Sequence, residues 1–320
     1  MANEPIITLE NVKVHFPQTH TFKKSYLRAV DGVSLEIRAG ETLGLVGESG
    51  CGKSTLGKAI AGLQPTTDGA ILFHNENVKN LSRANAIRYR KNVQMVFQDP
   101  AASLNPRLKV RQIVMEPLLK DVKMSGAEKV ALVEKMVQTV GLPADALDRY
   151  PHEFSGGQQQ RIGIARSLVL RPEFIVCDEA VSALDVSVQA QILNLLGELK
   201  KDYNLTYLFI SHNLSVVKHM CDRIAVMYLG RIVELGSAAQ IFGNPLHPYT
   251  RALISAIPVA GKRNRENRIV LTGDLPAPTA VFDGCPFYNR CYECQAHCEK
   301  NVPTLHEAEP GHFVSCLCID

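Results

Sequence analysis

Nine consecutive residues, Gly47 to Thr55 (GESGCGKST), constrain this chain more than any other feature. They fit the spacing G-x-x-x-x-G-K-[ST] and lie between a run that reads as a buried strand (ETLGLVG) and a helical pattern (STLGKAIAGL). Gly47, Gly50 and Gly52 let backbone N–H groups turn inward around a phosphate without side-chain obstruction. Lys53 adds a point charge, the Ser54 hydroxyl can ligate Mg²⁺, and the following helix presents its positive end. Ser49, Cys51 and Thr55 complete the loop. Such a cradle needs strand, loop and helix in that order, which commits the chain to an α/β core.

The rest of the pattern agrees. Residues 6–16 alternate as a strand, and the polar, basic residues 17–29 read as a loop. From Val30 the sequence gives a strand, a turn at Ala39-Gly40 and the buried strand before the cradle. Turn chemistry at Pro65 to Gly69 precedes a short strand over 70–73, and residues 93–98 are a further strand. Residues 110–141 have helical spacing, with Ser125-Gly126 separating two helices. Residues 155–170 read as helix after a serine-glycine start. FIVCDEA (174–180) and LTYLFISH (205–212) are buried strands flanking an amphipathic helix over 188–203. Strands alternating with helices imply a mainly parallel sheet. Near Asn244 prolines punctuate the chain, followed by a basic linker, GKRNRENR (261–268), a proline-rich DLPAPT and a group of cysteines. A boundary is expected at 240–260.

Composition excludes several classes. A net charge of +3 on 320 residues is too small for a dedicated nucleic-acid binder. No stretch approaches the roughly 20 apolar residues of a membrane span. The N-terminus lacks a secretory pattern, so a cytosolic location is expected, with any membrane part supplied by other chains. Six of the nine cysteines, Cys285, Cys291, Cys294, Cys298, Cys316 and Cys318, fall near the C-terminus. In a reducing compartment such a cluster reads as a metal site.

Asp178 and Glu179 end a buried strand downstream of the phosphate loop. An acid at the first position suits Mg²⁺, and the second is a candidate general base for an attacking water.

FSGGQQQR, Phe154 to Arg161, resembles the LSGGQ signature of ABC-type ATPases, with Phe for the common Leu. The resemblance implies that Ser155, Gly156, Gly157 and Gln158 form a second anion site that clamps ATP held by an opposite subunit. It also implies a Q-loop role for Gln98 (in VFQDP), which touches Mg²⁺ and the attacking water. SALD, Ser182 to Asp185, matches the D-loop between subunits, and His212 the switch histidine at the γ-phosphate. Phe16 matches the aromatic that stacks on adenine, where a core phenylalanine is the alternative and Tyr26 a second candidate. Ala180 departs from the pattern, which has Pro after the catalytic Glu; alanine gives a looser turn with a free N–H. The implied fold is a P-loop α/β domain of ABC type: a RecA-like core, an antiparallel β subdomain and a helical signature subdomain over residues 1–245. A small Cys-rich domain follows over 246–320.

NPLHPYTRALISAIP (244–258), with the later GCPFYNRC and EPGHFVSC, resembles the C-terminal signature of ATPases that energise dipeptide, oligopeptide and nickel importers. The resemblance implies a [4Fe–4S] cluster on Cys285, Cys291, Cys298 and Cys316, beside bound ATP and Mg²⁺. Thiolates suit iron–sulfur or zinc equally, Cys291-x2-Cys294 is also zinc spacing, and Cys294 and Cys318 leave the choice of four open. The implied partners are two membrane permeases, a second ATPase of different sequence and an external peptide-binding protein. The chain would then work at the cytoplasmic face of the inner membrane. Nickel or another small solute is the alternative cargo. An ABC-type ATPase of DNA repair would carry a long insertion between Lys53 and Asp178, and a translation-linked one a second phosphate loop.

Overall fold

The computed structural model describes residues 4–20, 23–119, 124–257, 268–273, 276–277 and 279–319. The basic linker expected over 261–268 falls, apart from its last residue, outside them, as do residues 120–123 of the expected helical stretch.

Two sheets organise the chain. The strands are β1 (Pro5–His20), β2 (Lys23–Arg38), β3 (Thr42–Val46), β4 (Asp68–Phe73), β5 (Glu76–Asn77), β6 (Val93–Val96), β7 (Phe174–Asp178), β8 (Thr206–Ile210), β9 (Arg223–Tyr228), β10 (Arg231–Ser237), β11 (His306–Glu309) and β12 (His312–Val314). The helices are α1 (Lys53–Ile60), α2 (Arg83–Asn92), α3 (Pro100–Ser103), α4 (Val110–Met115), α5 (Gly126–Thr139), α6 (Gly156–Leu168), α7 (Val186–Tyr203), α8 (Leu214–Met220), α9 (Ala238–Gly243) and α10 (Pro248–Ser255). The first sheet has the antiparallel order β2-β1-β4-β5, and the second runs β11-β12-β10-β9-β3-β8-β7-β6. Strands β9, β3, β8, β7 and β6 pair in parallel, and β10, β12 and β11 extend the sheet antiparallel from β9.

The parallel strands read as unbroken apolar runs because both faces are covered. In β7, Ile175 and Cys177 face one core while Phe174 and Val176 face the other; in β8, Tyr207 and Phe209 oppose Leu208 and Ile210. One core receives Ile113 of α4, Met136 of α5, Ile162 of α6 and Leu196 of α7. The other receives Val12, Val14 and Val33 of the β1–β2 hairpin with Leu56 and Ile60 of α1. Each fully buried side chain of this size contributes about 1.5–3 kcal/mol. Helix starts follow local chemistry: Ser125 with Glu128 and Ser155 with Gln158 form reciprocal capping boxes. Asn204 closes α7 in the left-handed conformation at φ 51°.

Residues 17–29 are not the loop their polarity predicts. The β1–β2 pairing continues through Pro17 opposite Tyr26 and on to His20 opposite Lys23. Pro17 and Tyr26 are exposed, so alternation carries no signal here. Ladder hydrogen bonds are made by backbone and persist where no face is buried.

The tail is joined to the main sheet. Strand β12 pairs with β10, and Phe287 is buried in the same core as Tyr228 and Tyr249. Glu234 on β10, fully buried, accepts from the N–H groups of Leu246 and His247 at 2.8 and 2.9 Å and lies 2.8 Å from His312 Nε2. A carboxylate this deep persists because both oxygens are satisfied.

Candidate active site

Strand β3 delivers the chain straight into the Gly47–Thr55 loop, and the loop into α1. A Cβ at Gly47 would lie 2.1 Å from the Met227 carbonyl oxygen, and one at Gly52, where φ is +107°, 1.8 Å from that of Ala29. The loop therefore packs on neighbouring backbone in a form only glycine allows. Lys53, 5 % exposed, donates from Nζ to the carbonyls of Gly47 and Glu48, both at 2.8 Å. Cys51 points away from the loop's concave side into the core, and burial pushes its thiol up despite Lys53 nearby. Its Sγ lies 3.7 Å from Lys53 Nζ, under the loop.

A cavity of about 660 Å³ opens over this loop, lined by Ser49, Gly50, Gly52, Lys53, Ser54 and Thr55. Gln98, Glu179 and His212 line it from the strand ends, and Phe16, Leu27 and Ala29 from the hairpin. Phe16 and Leu27 are cross-strand partners, so the hairpin supplies one apolar wall. Tyr26, 49 % exposed, is not among the lining residues. Leu27 and Ala29 escaped the sequence reading, which placed them in a loop.

Ser54 Oγ donates to Asp178 Oδ1 at 2.7 Å. Burial pushes the Asp178 carboxyl up, against the Ser54 hydrogen bond and Lys58. A buried acid beside a hydroxyl is a donor set that a hard divalent cation satisfies.

Glu179 follows β7 with φ +46°, a left-handed conformation that strains a non-glycine residue by about 1–3 kcal/mol. Its N–H donates to Ile210 O at 3.0 Å, and its carbonyl accepts from the N–H and Oγ of Ser182, each at 3.0 Å. These bonds close the turn in which Ala180, 2 % exposed, packs into the core. Glu179 Oε2 accepts from Gln98 Nε2 at 2.9 Å and lies 3.2 Å from His212 Nδ1. The strain thus aims one carboxylate at the two side chains across the cavity.

Ser155–Gln158 and Asp185 are not among the lining residues. Ser155 caps α6, its N–H donating to Gln158 Oε1 at 3.0 Å, and Asp185 precedes α7 without a side-chain cap. Ser155, Gly156 and Asp185 are exposed, while Gly157 packs on Val188, where a Cβ would come within 2.3 Å. The signature therefore presents the start of a helix outward.

All nine cysteines of the chain, including the six in the tail, are free thiols. Cys291 is pushed up to about 11, first by burial and then by the neighbouring Cys285, Cys294 and Cys316. Burial likewise raises Cys285, which Cys298 and Cys316 raise further. Burial raises Cys316 as well, and Cys298 adjoins both Cys285 and Cys316, so the four expected ligands share one neighbourhood. Among the described residues, however, the trio whose ligand atoms lie within 4.8 Å of one another is His297, Cys298 and Cys318. The Cys298–Cys318 sulfur distance is 3.7 Å. Tetrahedral zinc with Zn–S of about 2.3 Å spaces two thiolates by roughly 3.8 Å.

Comparison with known proteins adds the following. Residues 30–182 match the "ABC transporter" family, and residues 233–298 match "Oligopeptide/dipeptide transporter, C-terminal region". The chain is 51 % identical to the oligopeptide transport ATP-binding protein AppF of Bacillus subtilis, over 98 % of this chain and 97 % of that one. It is 47 % identical to the dipeptide transport ATP-binding protein DppF of Haemophilus influenzae, over 99 % and 98 %. Among solved structures, cbiO1 from Clostridium perfringens, part of the ABC transporter complex cbiONQ, superposes with a TM-score of 0.64 at 28 % identity, over 75 % of this chain and 92 % of that one. The ATP-binding cassette MJ0796, solved as a dimer bound to ADP and Pi, gives 0.65 at 28 % identity, over 72 % and 98 %.

Proposed function

The chain belongs to the ABC transporter family, among the ATP-binding proteins of its oligopeptide and dipeptide transporters, and on that premise we propose how its site works and what it serves. It is an ATPase that energises the import of dipeptides and short oligopeptides. The observation that carries the mechanism is the single cavity gathering Lys53, Ser54, Gln98, Glu179 and His212.

Adenine stacks on Phe16, and base–aromatic stacking is worth about 1–3 kcal/mol. The phosphates lie along the Gly47–Thr55 backbone with Lys53 against them. Ser54, Asp178 and Gln98 would hold the Mg²⁺ that accompanies ATP, and that cation would neutralise charge on the transferring phosphoryl group. Glu179 takes the proton of the attacking water, and His212 orients the γ-phosphate end. In this structure Gln98 and His212 both face Glu179 Oε2, which places the candidate base between them.

Ser155–Gln158 and Asp185, all outside the cavity of their own chain and with Ser155, Gly156 and Asp185 exposed, act on ATP held by a second ATPase subunit of different sequence. Among the described residues no helix is long and apolar enough to cross a membrane. Two permease subunits supply the membrane path, an external binding protein delivers the peptide, and this chain works on the cytoplasmic face of the inner membrane. Affinity purification from native membranes, with mass spectrometry of the recovered chains, tests this assembly. Two multi-span permeases, a second ATPase and a peptide-binding protein are the expected yield. A nickel-binding protein in place of the last would change the cargo, and recovery with DNA alone would overturn the transporter reading.

In the tail, Cys285, Cys291, Cys298 and Cys316 would hold a [4Fe–4S] cluster, which would cross-link a segment poor in secondary structure. The close trio of His297, Cys298 and Cys318 favours a second reading, one zinc ion. Metal and sulfide analysis of protein purified without oxygen separates them. Iron with equimolar sulfide is expected, whereas stoichiometric zinc without sulfide would replace the cluster by the trio.

A further inference from the structure

The phosphate loop is gripped from behind by the C-terminal tail. Glu48, the second residue of the loop, turns its side chain away from the cavity. Its carboxylate receives both terminal nitrogens of Arg290, with Nη1–Oε2 at 2.8 Å and Nη2–Oε1 at 3.0 Å. This is a two-point fork between planar groups, the strongest and most directional form of ion pair. The Arg290 side chain is 10 % exposed and that of Glu48 30 %, so the pair is only partly screened by water. The guanidinium also lies over the Tyr228 ring, 5.9 Å from its centroid. A second contact grips the same residue through its backbone: the Glu48 N–H donates to Tyr249 Oη at 2.9 Å. Tyr249 is fully buried and packs with Tyr228 and Phe287, ring centroids 4.8 and 5.6 Å away. Glu48 is thus fixed by backbone and side chain while its carbonyl accepts from Lys53 Nζ.

We propose that Arg290, 242 residues away in sequence, is a positioning residue of the nucleotide site, holding the phosphate loop in its binding shape through Glu48. Arg290 is not among the residues that line the cavity; it acts through Glu48 and the Glu48 carbonyl on Lys53. The tail on this account is part of the ATP site. Arg290 directly precedes Cys291, so whatever orders the cysteines also sets the position of the fork. The inference rests on the ATPase reading above.

The test uses the full chain and measures the affinity for ADP alongside steady-state ATP hydrolysis. Arg290→Ala and Glu48→Gln should each weaken ADP binding and raise KM for ATP by about tenfold, the scale of one lost hydrogen bond between charged groups. The kcat should change less, because Glu179 and His212 are untouched. The double variant should be no worse than the poorer single one, since both remove the same fork. Arg251→Ala is the control: it breaks another arginine–glutamate pair of the tail, to Glu293 at 2.9 Å, and neither of those side chains bonds to Glu48 or lines the cavity. It should leave ADP affinity unchanged. Unchanged ADP affinity in both Arg290→Ala and Glu48→Gln, with only a lower melting temperature, would overturn the proposal. An equal loss in Arg251→Ala would overturn it too, since general loosening of the tail would then suffice. If Arg290→Ala does not fold, Glu48→Gln alone carries the comparison. A wild-type chain that binds neither ATP nor ADP would instead sink the ATPase reading itself.

Discussion

Glu179→Gln is expected to bind ATP like the parent and to hydrolyse it about a hundred- to ten-thousandfold more slowly, the usual contribution of a positioned general base. The substitution keeps shape and removes one property, the capacity to take a proton. The surrounding geometry says why little else should change. Glu179 is held in its left-handed turn by backbone bonds to Ile210 and from Ser182, none of which involves the carboxylate. The amide oxygen of glutamine can still accept from Gln98 Nε2 in place of the carboxylate oxygen. Folding and nucleotide affinity should therefore survive while phosphate release falls. Phosphate release and ATP binding measured on the same preparation decide the matter. A variant that releases phosphate at the parent rate would remove Glu179 from the role of base. One that no longer binds ATP would make it a structural residue of the cavity.

How much of this was legible in the sequence depends on whether the signal was local. The phosphate loop, the Asp178-Glu179 strand end and the Ser155 helix start are contiguous motifs, and each sits where its pattern put it. The parallel strands were legible because burial on both faces leaves unbroken apolar runs such as TYLFI. The far end of the β1–β2 hairpin was not, since pairing there is carried by backbone with exposed side chains. Leu27 and Ala29 were lost as cavity walls with it. The joining of the tail to the sheet was also hidden. It depends on Val314 meeting Glu234 and on a buried histidine, His312, facing that glutamate across 78 positions. No spacing rule reports such a pair. The fork between Glu48 and Arg290 is of the same kind: Glu48 reads as a variable position inside the loop until the fold supplies its partner. Its carboxylate has no task inside the cavity, which is why the motif alone was silent about it. Ala180 was visible as a departure, and the turn it occupies is closed by Ser182 without a proline.

Lys53→Ala should abolish turnover and most nucleotide binding, a loss of at least about a hundred- to a thousandfold in rate, as for removal of a preorganised electrostatic donor. Two effects add. The first is chemical: Lys53 carries the cationic charge of the loop itself, and the phosphates that it faces gain charge density during transfer. The second is structural. Lys53 Nζ bridges the carbonyls of Gly47 and Glu48, so its loss removes a donor from both and leaves the Glu48 carbonyl only the Cys51 N–H at 3.4 Å. Those carbonyls would then compete with phosphate oxygens for the remaining N–H groups. Lys53→Arg keeps the charge and should still fail, because a site where the native side chain is only 5 % exposed cannot accept a planar guanidinium without displacing the loop. The arginine variant therefore separates the two effects: near-parent ADP affinity with lost turnover would put the weight on charge placement, and loss of both on loop shape. Parent-level ATP hydrolysis in Lys53→Ala would overturn the assignment of this loop as the phosphate site.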